Sequence, residues 1–223
     1  MRIVRVVRNV SVLLLAAGAA LGCGGGGGAA VVPDPIPPPP SGNVTLDVIA
    51  DGPLSGEILD SVAGRTLDVP VVAGQSKFGA SETEVRGVAT FVWSVPAGAT
   101  LVSATLRCTP TDVKGNPTGV VDALMLDHFD VGATLDTSDF DGGPLFQASC
   151  ATLAPSGSPL VIGTEVSTVV TAQVQADRTA ARGRSCFRLL FPAAVINIQG
   201  INQVQFGTGG TASAPVLTIV YTP

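Results

Sequence analysis

Charge is scarce in this chain: only 13% of its 223 residues are Asp, Glu, Lys or Arg, and aromatic residues make up 4%. There is one histidine, His128. A single imidazole cannot furnish the His-rich ligand sets typical of zinc centres. A His-dependent catalytic triad would have to be built on it, and no Gly-x-Ser-x-Gly elbow precedes it. Basic clusters are missing as well, with 12 Lys and Arg against 17 Asp and Glu for a formal charge of −5. A phosphate backbone needs clustered cations, so nucleic acid is excluded as a partner. Long apolar runs are also absent. The longest one near a terminus, Val10 to Leu21, has 12 residues, where a spanning helix needs roughly 20. The mean hydropathy of +0.47 therefore comes from that run and from a Val-, Ala- and Leu-rich globular domain, not from a membrane bundle.

The first 22 residues are laid out as an export leader. Arg2, Arg5 and Arg8 give a positive start, Val10 to Leu21 an apolar middle, and small residues close it. The closing Ala19-Ala20-Leu21-Gly22-Cys23 resembles the lipobox of bacterial lipoprotein precursors, with Leu21 two residues before the cysteine rather than the commoner three. The resemblance implies cleavage before Cys23, a diacylglycerol on its sulfur and attachment to a membrane through that lipid. Two or three acyl chains hold a protein at a bilayer where one would be marginal. Gly24, in place of Asp, implies sorting to the outer membrane or cell surface. Without the three leader arginines, nine basic groups face seventeen acidic ones, a net charge near −8.

Residues 23–42 read as a tether. Gly24 to Gly28 is an unbroken glycine run, and Pro33-Asp-Pro-Ile-Pro-Pro-Pro-Pro40 follows. The first composition is flexible and the second favours an extended polyproline II spacer. Residues 43–223 then form one domain by length. Its short runs of Val, Thr and Leu are punctuated by Gly and Pro. Expected strands cover Thr45–Ile49, Thr66–Val72, Val85–Val95, Thr100–Cys108, Val120–Phe129, Ser185–Phe191, Gln203–Phe206 and Val216–Tyr221. Pro96-Ala-Gly-Ala99 is a turn between two of them, and Thr171–Arg182 is the one short helix. This pattern predicts an all-β fold: an antiparallel two-sheet sandwich, jelly-roll-like.

Arg86-Gly-Val-Ala-Thr-Phe91, the Pro96–Ala99 turn, the Ser-Ala-Thr-Leu-Arg strand ending at Arg107, and Ala214-Pro-Val-Leu-Thr-Ile-Val-Tyr221 together carry a likeness. They resemble the DNRLRE group of bacterial extracellular domains, named for disaggregatase-related repeats, and neighbouring carbohydrate-binding-module-like sandwiches. Val92 stands where that group often has Asp. The resemblance implies a non-enzymatic surface module, with a glycan or an envelope protein as partner.

Candidate sites are few. Asp136-Thr-Ser-Asp-Phe-Asp-Gly-Gly143 offers Asp136, Asp139 and Asp141 as a candidate calcium loop, since hard cations take oxygen ligands. Cys108, Cys150 and Cys186 remain once Cys23 is lipidated, and an exported chain favours disulfides. Three thiols allow one bridge in three ways. Cys108 has the parity of a buried strand residue and Cys186 points away from the Phe187 face, so Cys150–Cys186 is the pairing expected. Sugar-stacking aromatics are few: Trp93, Phe187 and Phe191 fit the core, leaving Phe78, Phe140, Phe146 and Phe206 as candidates for exposure. The sequence thus points first to a binding or structural module without catalytic residues, then to a glycan-binding module, and last to a carboxylate-based glycoside hydrolase.

Overall fold

Strand alternation builds two antiparallel sheets in the computed structural model, which describes residues 42–61, 64–141, 145–192 and 199–223. Strand β6 (Thr100–Cys108) shows how. Ala104, Leu106 and Cys108 alternate inward while Ser103, Thr105 and Arg107 stay partly exposed. It lies in a four-stranded sheet ordered β1 (Val44–Ile49), β13 (Val216–Thr222), β6 and β10 (Val166–Val169). The larger sheet runs β7 (Asp112–Lys114), β12 (Gly200–Thr208), β4 (Pro70–Phe78), β5 (Ser81–Val92), β11 (Arg184–Leu190), β8 (Leu124–Phe129) and β9 (Leu145–Ala154). A hairpin of β2 (Gly56–Ser61) and β3 (Gly64–Asp68) joins it by pairing β2 to β5. Residues 39–223 form a single unit, and among the described residues no helix is long and apolar enough to cross a membrane.

The main core lies between the sheets. Ala104, Leu106, Leu217 and Ile219 of the small sheet meet Phe91, Phe187, Leu189 and Phe206 of the large one. Burying each of the Leu, Ile and Phe side chains contributes roughly 1.5–3 kcal/mol. A second cluster, Ile58, Val88, Phe129, Val131, Phe140 and Cys186, covers part of the opposite face of the large sheet. The all-β two-sheet sandwich expected from the sequence is the fold observed.

Helix α2 (Thr171–Thr179) starts where expected, at Thr171. Its hydroxyl accepts the Ala104 amide at 2.9 Å, fastening the helix to β6. The last turn is tied down by Arg178, which donates to the carbonyls of Pro96, Ala97 and Ala99 in the predicted turn. A second helix, α1 (Pro117–Val120), ends at the first residue of the strand expected over Val120–Phe129, and the observed strand β8 begins only at Leu124. Strands β2, β7, β9 and β10 are additions to the expected set. Pro70 splits the expected Thr66–Val72 strand. It opens β4, a position where the missing N–H costs least, and its pairing with Thr208 lies beyond a register shift in β12.

Candidate functional site

Strand pairing alone puts nine side chains on one surface of the large sheet. Residues opposite one another in adjacent strands share a face. Leu59 pairs with Val85 and Val85 with Gly74, whose other partner is Gln203. Gln203 and Gln205 face Lys114 and Asp112 across β7, Gln205 faces Val72, and Glu57 faces Asp68. Residues 83–85 of β5 pair with β2 and with β4 at once, so these strands leave from opposite edges of β5. The two arms curl toward one another and enclose a trough of about 240 Å³, lined by Glu57, Leu59, Asp68, Asp112, Lys114 and Gln205 with four further residues. Gly87 allows the curl. A Cβ there would stand 2.9 Å from Val71 Cγ1 and 3.0 Å from the Val72 carbonyl oxygen, so β4 can cross it only because no side chain is present. Gly56 is equally confined, with a Cβ falling 2.4 Å from the Asp68 carbonyl oxygen.

Glu57 is the chemically unusual group in this trough. It is 7% exposed, and its Oε2 is buried without a hydrogen-bond partner. Its pKa is raised from 4.5 to about 7, mainly by burial and then by the Asp68 carboxylate, with Lys114 acting in the opposite sense. Lys114 lies 3.9 Å from Asp112. Asp68 accepts the Val69 amide at 2.7 Å. A buried polar atom with no partner costs roughly 1–3 kcal/mol. The trough therefore holds an acceptor that folding leaves unserved.

A second charged region, on the face of the large sheet that carries the Phe140 cluster, is fully served. Arg188 and Asp127 are cross-strand partners on β11 and β8, both under 5% exposed. Arg188 donates to Asp127 Oδ2 from Nη2 at 2.7 Å and from Nε at 3.1 Å, while Nη1 donates to the carbonyls of Asp139 and Phe140, each at 2.8 Å. The other carboxylate oxygen accepts the Ser149 amide at 2.8 Å. This node anchors a short 3-10 turn, Thr137–Phe140, over the second apolar cluster. Arg86 and Arg65 stack on the Phe140 ring, 4.0 and 4.6 Å from its centroid.

That turn also accounts for the candidate calcium ligands. Asp136 caps the turn by accepting the Ser138 amide, and Asp139 reaches back to the Asp136 amide at 2.9 Å. Asp141 is ion-paired with Arg65 and with Arg86, the latter at 3.1 Å. Burial acts to raise the Asp141 pKa, but Arg65, Arg86 and Arg188 together hold it below the usual range. Asp139 is raised by burial, and Asp136 is lowered by its bonds to Ser138. Asp136, Asp139 and Asp141, the candidate calcium ligands, thus bond a capping box and guanidinium groups in a structural turn. Among the described residues no three His, Cys, Asp or Glu side chains are placed to hold a metal ion.

The Cys150–Cys186 bridge is likewise not formed: Cys108, Cys150 and Cys186 are all free thiols. Cys186 sits in the Phe129–Phe140 cluster, whereas Cys150 packs against the main core, so the two lie on opposite faces of the large sheet. Burial raises all three thiol pKa values, that of Cys150 to about 12. Cys108 is a core residue, as its parity indicates. Cys23 lies outside the described residues.

His128 is 2% exposed, and its Nε2 lies 2.9 Å from Asp177 Oδ2 on α2, with Arg182 bonding the other Asp177 oxygen at 3.0 Å. This pair ties β8 to the helix. Of the four aromatic candidates for exposure, Phe78 is 60% exposed, Phe140 and Phe206 are core residues and Phe146 is half-buried under the Arg182 guanidinium. Trp93 is a core residue and donates from Nε1 to Ser185 Oγ at 3.1 Å. The trough residues were not among the sequence candidates. Glu57 sits in Gly-Glu-Ile-Leu-Asp-Ser, which does not alternate, and its neighbours in the trough come from five other strands.

In comparison with known proteins, no family model matches the chain and no curated protein matches it significantly.

Proposed function

We propose that the chain is a lipid-anchored envelope protein whose sandwich acts as a binding module, with the trough around Glu57 as its ligand site and a glycan as its ligand. The observation that carries this reading is the unserved Glu57 Oε2 in a concave surface rich in amide, carboxylate and ammonium groups. Such a lining hydrogen-bonds hydroxyl groups from several directions without a stacking aromatic. Concave sites with a few convergent polar groups are where small ligands bind. The leader, the small residues before Cys23 and the Gly/Pro tether support display at a membrane surface.

Two experiments test this. A glycan array probed with the mature chain should give discrete hits that vanish in Glu57→Ala; hits that survive the substitution, or no hits, would refute the trough as the site. Cys23→Ala should release the protein from membranes into the soluble fraction, and continued membrane partition would refute the anchor.

One observation favours a second reading, glycoside hydrolysis. A glutamic acid with a pKa of about 7 directly opposite an aspartate matches the demands on a general acid and its companion carboxylate. Release of reducing ends from any array hit would establish catalysis in place of binding alone.

A further inference from the structure

We infer that the ligand of the trough carries a protonated amine, seated between Glu57 and Asp68, so that the preferred glycan is one with free amino groups. This rests on the reading of the trough as a ligand site and goes further by naming the ligand's charge.

The pairing of β2 with β3 sets Glu57 directly opposite Asp68 on the trough face. Like charges in that position repel and destabilise the sheet. Several other carboxylates of the chain are balanced by its own cations: Asp127 has Arg188, Asp130 has Arg184, Asp141 has Arg65 and Arg86, and Asp47 has Arg107. The Glu57–Asp68 pair has no such partner among the described residues. Lys114, the cation in the lining, bonds neither member and lies nearest Asp112. Glu57 brings the independent sign of a ligand, an oxygen buried without a donor in a side chain that is only 7% exposed.

The missing cation is not a metal ion by geometry. Calcium asks for six to eight oxygen ligands, and no three carboxylates in the described residues converge. An ammonium group needs only three acceptors placed around one nitrogen, which a carboxylate pair and a third oxygen can supply. The trough continues from that pair to Gln203 and Gln205. These amides both donate and accept, which suits the hydroxyl groups of the sugar ring that would carry the amine.

The test is isothermal titration of the mature chain at neutral pH with three probes: a glucosamine tetramer, its N-acetylated counterpart and a glucose tetramer. The amine-bearing tetramer should bind about tenfold tighter than either neutral one. Glu57→Gln and Asp68→Asn, which keep the side-chain shapes, should each erase most of that preference while melting cooperatively. Equal binding of all three tetramers in the unaltered protein would overturn this inference and leave the glycan reading standing. No binding of any of them, with a folded protein, would overturn both.

Discussion

Two cross-strand pairs of the same sheet treat charge in opposite ways, one with both members buried and the other joining the buried Glu57 to the exposed Asp68. Arg188 and Asp127 stand opposite each other on β11 and β8 with complementary signs, and each Asp127 oxygen has a partner. Glu57 and Asp68 stand opposite each other on β2 and β3 with the same sign, and Glu57 Oε2 has none. The first arrangement holds a turn over an apolar cluster and leaves nothing for an outside molecule to bond. The second is less favourable for the isolated fold and leaves an acceptor open in a concave surface. Saturated polar networks specify structure, whereas unsaturated ones in a cleft mark places where a ligand completes the bonding.

The comparison can be broken most forcefully at the saturated pair. Arg188→Met strands Asp127 as a buried, unpaired carboxylate and should cost roughly 3–5 kcal/mol, read from urea denaturation. Adding Asp127→Leu should recover most of that loss, because the orphaned charge is then gone. A single variant as stable as the unaltered protein would show that the node is not buried in solution.

Next in size is the trough's shape. Gly87→Val drives a branched side chain into Val71 and the Val72 carbonyl, and overpacking of this kind costs roughly 1–3 kcal/mol. It should also abolish array binding. A variant that loses stability yet binds normally would separate the crossing of β4 from the site.

A pH-dependent effect, smaller than that of the saturated pair, belongs to Glu57 itself, and its sign is distinctive. Its pKa is higher in the folded chain, about 7, than its ordinary 4.5. Below the lower value both states are protonated and the carboxyl imposes no charge penalty. As pH rises through 4.5 toward 7 the unfolded chain releases its proton first, so this contribution to stability is lost and then levels off. The drop from pH 5 to pH 8 should be on the order of 2 kcal/mol after allowance for solvent in the trough. It should be absent in Glu57→Gln, as followed by urea midpoints at both pH values.

Much of the fold was legible because several strands keep a period of two in polarity, even β11, which is buried on both faces. Thr100–Cys108, Ser185–Phe191 and Val216–Tyr221 alternate cleanly, and each lies within a residue or so of an observed strand. Strand β2 escaped for a physical reason. One of its faces supplies Ile58 to the second apolar cluster while the other supplies Glu57 and Leu59 to the trough, so it shows no period of two. Strand β7 is only three residues long. The site itself was not legible, because pairing across strands far apart in the chain brings Glu57, Asp68, Asp112 and Gln205 together. The aspartates at 136, 139 and 141 drew attention through their density, yet a capping box and two arginines account for them. Cys186 does lie opposite the Phe187 face, but the face of Cys150 is set by strand β9, which no alternation in the sequence marks.

The most direct test is a carbon-13 NMR titration of the Glu57 carboxyl in the mature chain, alone and with the glucosamine tetramer. A midpoint near 7 is expected for the free protein, moving downward when the amine is bound because an adjacent cation favours the carboxylate. A midpoint at the ordinary value near 4.5, unmoved by the tetramer, would contradict both the unserved carboxyl and the site built on it.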